Sequence, residues 1–138
     1  MFKTVLFPID QSPESRQAAE TVAELVKTCD SKLIVLSVVE RPSADEPAPD
    51  ALMTSPEAIA NLLENAKTLF SNQGITAETL EREGTKPPAF TICDVAEEVG
   101  ADLIVMGCRG LGLTDEGTTD SVTNKVINLS PCPVLIVP

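Results

Sequence analysis

The chain has 138 residues, 10 Lys plus Arg against 21 Asp plus Glu, a formal net charge of −11 and no His. That length suits a single domain over residues 1–138 with its own core, while so acidic a surface repels nucleic-acid backbones and anionic membranes. The absence of His removes the Ser-His-Asp and Cys-His couples and imidazole metal ligands, and with no Trp or Tyr and four Phe there is almost no platform on which bases could stack.

Apolar runs alternate with amphipathic stretches of helical length. Residues 3–9, KTVLFPI, read as a strand with Pro8 near its end, where one lost ladder bond is tolerable. The same N-terminal run carries no secretory cleavage pattern, so a cytoplasmic location is expected. Ser12-Pro13 opens a helix whose apolar face is Ala18, Ala19, Val22, Ala23, Leu25 and Val26, ending near Cys29-Asp30. Residues 32–39, KLIVLSVV, are continuously apolar, as in a strand covered on both faces. Residues 40–55 are rich in Pro, Asp and Glu without a period and read as a mobile surface loop.

Pro56 starts a second helix with Ile59, Leu62, Leu63, Ala66, Leu69 and Phe70 expected inward and Gly74 as its stop. Residues 75–83 alternate apolar and polar, as on an edge strand. A turn over 84–88 leads to a helix over 89–99 ended by Gly100, then a buried strand over 102–107, a Gly- and Thr-rich loop over 108–119, and a helix from about Asp120-Ser121. Val134 to Val137 form the last strand. The order β-α-β-α-β-α-β-α-β implies right-handed crossovers and an α/β, doubly wound parallel sheet with helices on both faces. No run reaches the ~20 apolar residues that span a bilayer. Cys29, Cys93, Cys108 and Cys132 form no CxxC and read as reduced, small apolar residues.

In such a sheet ligands sit beyond the carboxyl ends of the strands, where the strand order reverses. Pro8, Ile9 and Asp10, the end of the second strand at Val38 and Val39, and the loop from Gly107 onward converge there. Glycines at 107 and 110 let the main chain approach an anion, and the helix start near Ser121 offers unpaired N–H groups. Arg109 adds a charge-assisted donor. Asp10 repels a phosphate but suits ribose hydroxyls; capping the first helix is an equal alternative.

Thr4-Val5-Leu6-Phe7-Pro8-Ile9-Asp10, Gly100-Ala101-Asp102-Leu103-Ile104-Val105-Met106-Gly107-Cys108-Arg109-Gly110, Asp120-Ser121-Val122 and Ser130-Pro131-Cys132-Pro133 together resemble a universal stress protein of the UspA type, over the whole chain. The resemblance implies five parallel strands in the order 3-2-1-4-5 and homodimers paired through the last strand. One branch of that family binds ATP through G-x2-G-x9-G-(S/T). Gly107 and Gly110 match its first two glycines and Ser121 its last position, while Asp120 stands where the third glycine belongs. Carried over, Asp10 would contact ribose and Val38 adenine, with Gly107, Arg109, Gly110, Ser121 and Val122 along the phosphates. Pro8, Met106 and Asp120 complete the set of binding candidates.

Two unit charges about 4 Å apart repel by roughly 1–4 kcal/mol, so Asp120 weakens ATP binding unless Mg²⁺ bridges the carboxylate to phosphate. AMP or ADP suffers less. The expected function is therefore stress-response regulation by a bound adenine nucleotide, ATP, ADP or AMP. The alternative is a dimeric interaction module with a vestigial pocket and no nucleotide. A partial cradle with neither a Walker Lys nor a His supports slow ATP hydrolysis at most. The protein partner is not legible.

Overall fold

The computed structural model describes residues 2–9, 13–40, 56–84, 87–107 and 122–138. In chain order these form β1 (Thr4–Pro8), α1 (Pro13–Cys29), β2 (Lys32–Glu40), α2 (Pro56–Ser71), β3 (Ala77–Gly84), α3 (Pro88–Val99), β4 (Leu103–Gly107), α4 (Val122–Leu129) and β5 (Val134–Val137). The five strands make one sheet in the order β3-β2-β1-β4-β5. Every neighbouring pair is parallel. The expected architecture and strand order are therefore those observed.

The central strands are apolar on both faces because both faces are covered. On one face Val5, Phe7, Leu33, Val35, Leu103 and Val105 are buried with Ala18, Val22 and Val26 of α1 and Ile59, Leu63 and Phe70 of α2. Phe7 and Phe70 meet edge to face, with ring centroids 6.2 Å apart. On the other face Leu6, Ile34, Leu36, Ile104 and Met106 pack against Ala89, Ile92, Val95 and Ala96 of α3 and Val126 of α4. Each fully buried Val, Leu, Ile or Phe contributes roughly 1.5–3 kcal/mol relative to exposure. These two layers hold the sheet rigidly enough to position loops at its ends.

Helix ends follow their local chemistry. Asp30 takes a left-handed φ of 52° after α1, and the Ser31 N–H donates to the Val26 carbonyl at 3.0 Å. Gly74 (φ 79°) does the same after α2, with Ile75 N–H bonded to Phe70 O at 2.9 Å. Gly100 (φ 68°) closes α3, its N–H reaching the carbonyls of Ala96 and Glu97. These are the αL caps that leave the last carbonyls satisfied.

The third strand lies at the sheet edge, as its alternation implies, and runs on to Gly84 rather than turning there. It carries Glu78, Glu81, Arg82 and Glu83. Lys32 pairs with Glu78 at 3.3 Å and Arg82 with Glu98 of α3 at 3.1 Å. Such exposed pairs stabilise by at most about 1 kcal/mol, but charges on an edge keep it from pairing with another chain. Leu69 of α2, expected inward, is instead 40% exposed. Its position on the helix faces the gap between α1 and α2, not the sheet. The expected loop over 40–55 begins one residue later than read, since Glu40 ends β2, and its remainder lies outside the described residues.

Candidate functional site

The site begins with how β1 lies between its neighbours. Lys32 N–H donates to Lys3 O and Ile9 N–H to Leu36 O, both at 2.8 Å, so odd-numbered peptide groups of β1 face β2. Asp102 N–H donates to Thr4 O at 2.8 Å, so even-numbered ones face β4. The Asp102 carboxylate also accepts the Lys3 and Thr4 N–H groups at 2.9 and 3.1 Å. The amino ends of β1 and β4 are thereby tied together.

Their carboxyl ends are not. β1 pairs with β2 through Pro8↔Leu36, but with β4 only at Val5↔Leu103 and Leu6↔Ile104. The next rung toward β4 calls for an N–H on residue 8, and a proline has none. The ladder therefore stops two residues short of the end of β1. Beyond it β1 and β4 are free to part, at the point where the chain order reverses from β2 on one side to β4 on the other. An open doubly wound sheet forms its ligand crevice at such a switch point.

Four sequence-predicted residues border this opening. Pro8 ends β1 and Gly107 ends β4, both half-buried. Met106 is buried in the cluster under α3 and α4, and half-buried Val38 packs against the same cluster. Alternation along β1 turns Pro8 toward that face as well, since it follows Leu6 by two. Among the described residues the border is thus apolar, with one glycine and no charged side chain. Val122 opens α4 and is exposed. The structure brings Pro8, Val38, Met106 and Gly107 to one end of the sheet. Asp10, Arg109, Gly110, Asp120 and Ser121, and also Cys108, lie outside the described residues.

Sequence reasoning assigned no part to Asp102. Its signal was present, an acidic residue just ahead of a buried strand and opposite the start of β1. Nor did it find the turn before β5, where Ser130 Oγ donates to Cys132 O at 2.6 Å and accepts from Cys132 N–H at 3.2 Å. Cys29, Cys93 and Cys132 are free thiols. Burial, then the charges of Asp94 and Cys132, hold the Cys93 thiol above its ordinary value. Burial raises Cys132 too, against the lowering effect of the Ser130 hydroxyl. Neither has the depressed pKa of a reactive thiol. Among the described residues, no cluster of three Asp, Glu or Cys side chains is placed to hold a metal ion, and no helix is long and apolar enough to cross a membrane.

Fold and opening together define a small, doubly wound α/β protein of the Rossmann-like class. The sequence profile of the Universal stress protein family matches residues 1–138. The chain is 64% identical to Universal stress protein Sll1654 of Synechocystis sp. over all of this chain and 87% of that one. It is 34% identical to Universal stress protein YxiE of Bacillus subtilis over 99% of both. A universal stress protein solved in complex with cAMP superposes with a TM-score of 0.77 at 26% identity, over 99% of this chain and 97% of that one. The chain belongs to the universal stress protein family.

Proposed function

We propose that the protein acts in the stress response by binding an adenine nucleotide as a regulatory ligand at the switch point of its sheet. The observation that carries this reading is the early end of β1–β4 pairing at Leu6↔Ile104, followed by Pro8 on one side and Gly107 on the other. The partly apolar border that the described residues form suits a purine, and a glycine at a strand end allows close approach of backbone to ligand. The similarity to a universal stress protein solved with cAMP supports the same ligand class. In this reading Asp10 contacts ribose, Val38 lies by adenine, and Gly107, Arg109, Gly110, Ser121 and Val122 serve the phosphates, with Pro8 and Met106 lining the base of the crevice. Residues 1–138 act as one domain in the cytoplasm.

The ligand is ATP, ADP or AMP, with Mg²⁺ needed only where phosphate meets Asp120. Calorimetric titration with the three nucleotides, with and without Mg²⁺, tests the reading. Binding tighter than about 1 mM is expected for at least one of them; no binding by any of them overturns it. The substitution of the third motif glycine by Asp120 favours a second reading, an interaction module with a vestigial pocket. Asp120→Gly then creates or strongly strengthens ATP binding. A variant that weakens it makes the carboxylate part of the site and refutes the second reading.

We also propose a homodimer through β5. The edge at β3 is charged, whereas β5 is Val-Leu-Ile-Val throughout and its neighbour α4 exposes Ile127 and Leu129 at 49% and 46%. An uncharged apolar edge invites strand pairing.

A further inference from the structure

The face of the sheet away from Val38 and Met106 carries a second cavity. α1 packs over β4 and β5, and α2 over β2 and β3, so β1 runs beneath the space between the two helices. Strand spacings of about 4.8 Å put the helix axes roughly 14 Å apart, beyond the 8–10 Å of directly packed helices. A groove of about 210 Å³ results. Phe7 forms its floor, Ala19 of α1 and Ala66 of α2 its walls, and Leu69, Arg16 and Asn65 its rim.

Two features give this groove chemical character. The small side chains Ala19 and Ala66 keep it open, and the exposed Leu69 stands over it, leaving apolar surface on both helices and the floor. At the rim, Arg16 makes no hydrogen bond or ion pair with any described residue, although the chain carries an excess of acidic groups and Glu20 lies one turn along the same helix. A guanidinium without a partner among the described residues, on the same rim as a carboxamide, offers donors for a planar anion. The volume is modestly above the ~150 Å³ that holds one benzene and below the ~300 Å³ of drug-sized sites, which sets the guest at roughly eight to ten non-hydrogen atoms.

We propose that the α1–α2 groove is a binding site for a small amphipathic monocarboxylate. Its apolar body lies on Phe7 between Ala19 and Ala66, and its carboxylate meets Arg16 and Asn65. The floor of the site faces away from the nucleotide crevice, because Phe7 points to the α1–α2 face while Val38 and Met106 pack on the opposite one; only Ile9, at the end of β1, lies beside both.

The test is an amide NMR titration of the full chain with octanoate, and with octan-1-ol as the uncharged comparator. Saturable shifts centred on α1, α2 and the neighbourhood of Phe7 are expected, at a Kd below about 1 mM for octanoate. Arg16→Gln lowers octanoate affinity at least about fivefold while leaving octan-1-ol unaffected, the mark of a charge-assisted contact. Ala66→Phe fills the groove and removes both; a circular-dichroism melt confirms that this variant folds, and Ala19→Leu serves in its place if it does not. The absence of saturation, shifts centred on Val38 and Met106, or equal octanoate binding by Arg16→Gln each overturns the proposal.

Discussion

Asp102 and Thr4 bond to each other twice: the Asp102 N–H donates to the Thr4 carbonyl at 2.8 Å, and the Thr4 N–H donates to the Asp102 carboxylate at 3.1 Å. The pair spans 98 residues of sequence and fixes where β1 begins relative to β4. Everything past it on β1, including the distance from the tie to Pro8, follows from that register.

Asp102→Ala removes the acceptor of two backbone N–H groups. Hydrogen bonds to a charged acceptor contribute about 1.5–3 kcal/mol each when protected, less where one donor is exposed as at Lys3. A loss of about 2 kcal/mol is expected in urea denaturation, with Asp102→Asn between it and the parent. An unchanged midpoint for Asp102→Ala would remove the tie from the account.

Pro8→Ala supplies the N–H that faces β4 and allows one more rung. The strands then stay together farther toward their carboxyl ends, and the crevice narrows. Nucleotide affinity is expected to fall by roughly threefold to tenfold, a change of about 0.7–1.4 kcal/mol, with no loss of stability. Unaltered binding together with an unaltered Val105 amide exchange rate would show that Pro8 does not set the opening, since the Ile104 N–H faces β5 and the next peptide group faces β1.

The raised Cys93 thiol makes stability fall in alkali. Below the ordinary thiol pKa, about 8.5, folded and unfolded chains both keep the proton and the group has no effect on the pH dependence. Above it the unfolded chain releases the proton while the native one retains it, so the contribution shrinks as pH rises toward the native value. Urea midpoints taken between about pH 7 and 10 should decline less steeply in Cys93→Ala than in the parent. Parallel declines would exclude Cys93 as a source.

Along β5 the Pro133 carbonyl faces β4, where it accepts the Ile104 N–H at 3.0 Å, so the peptide group of Ile136 faces outward. Ile136→Pro therefore removes a donor from the outer edge while sparing the ladder to β4. Light scattering should show the dimer dissociating at concentrations at least about tenfold higher than for the parent, with the circular-dichroism spectrum retained. A parent protein that is monomeric at high concentration would dispose of the edge pairing altogether.

Much of this fold was readable because each strand and helix advertises its period locally. The run Leu33 to Leu36 is apolar on both faces, and Ala77 to Glu83 alternates, so one is central and the other lies at the edge. Glycine or Asp at 74, 100 and 30 marks helix ends for conformational reasons that need no neighbours. The features missed depend on distance between elements. Leu69 has a helical position that looks inward until the separation of α1 and α2 is known. Pro8 reads as a tolerable strand end, yet which neighbour loses the bond depends on the parity of β1, visible only through its partners at Thr4 and Ile9. At the crevice, Gly107 was legible as a strand terminus, whereas the apolar character of its border emerged only from seeing Val38 and Met106 share one cluster.

A strand clamped at one extremity and released at the other behaves as two mechanically separate halves. Sequence change around Pro8 and Gly107 alters the released end without loosening the joint at Thr4 and Asp102, so the frame tolerates variation where its strands part.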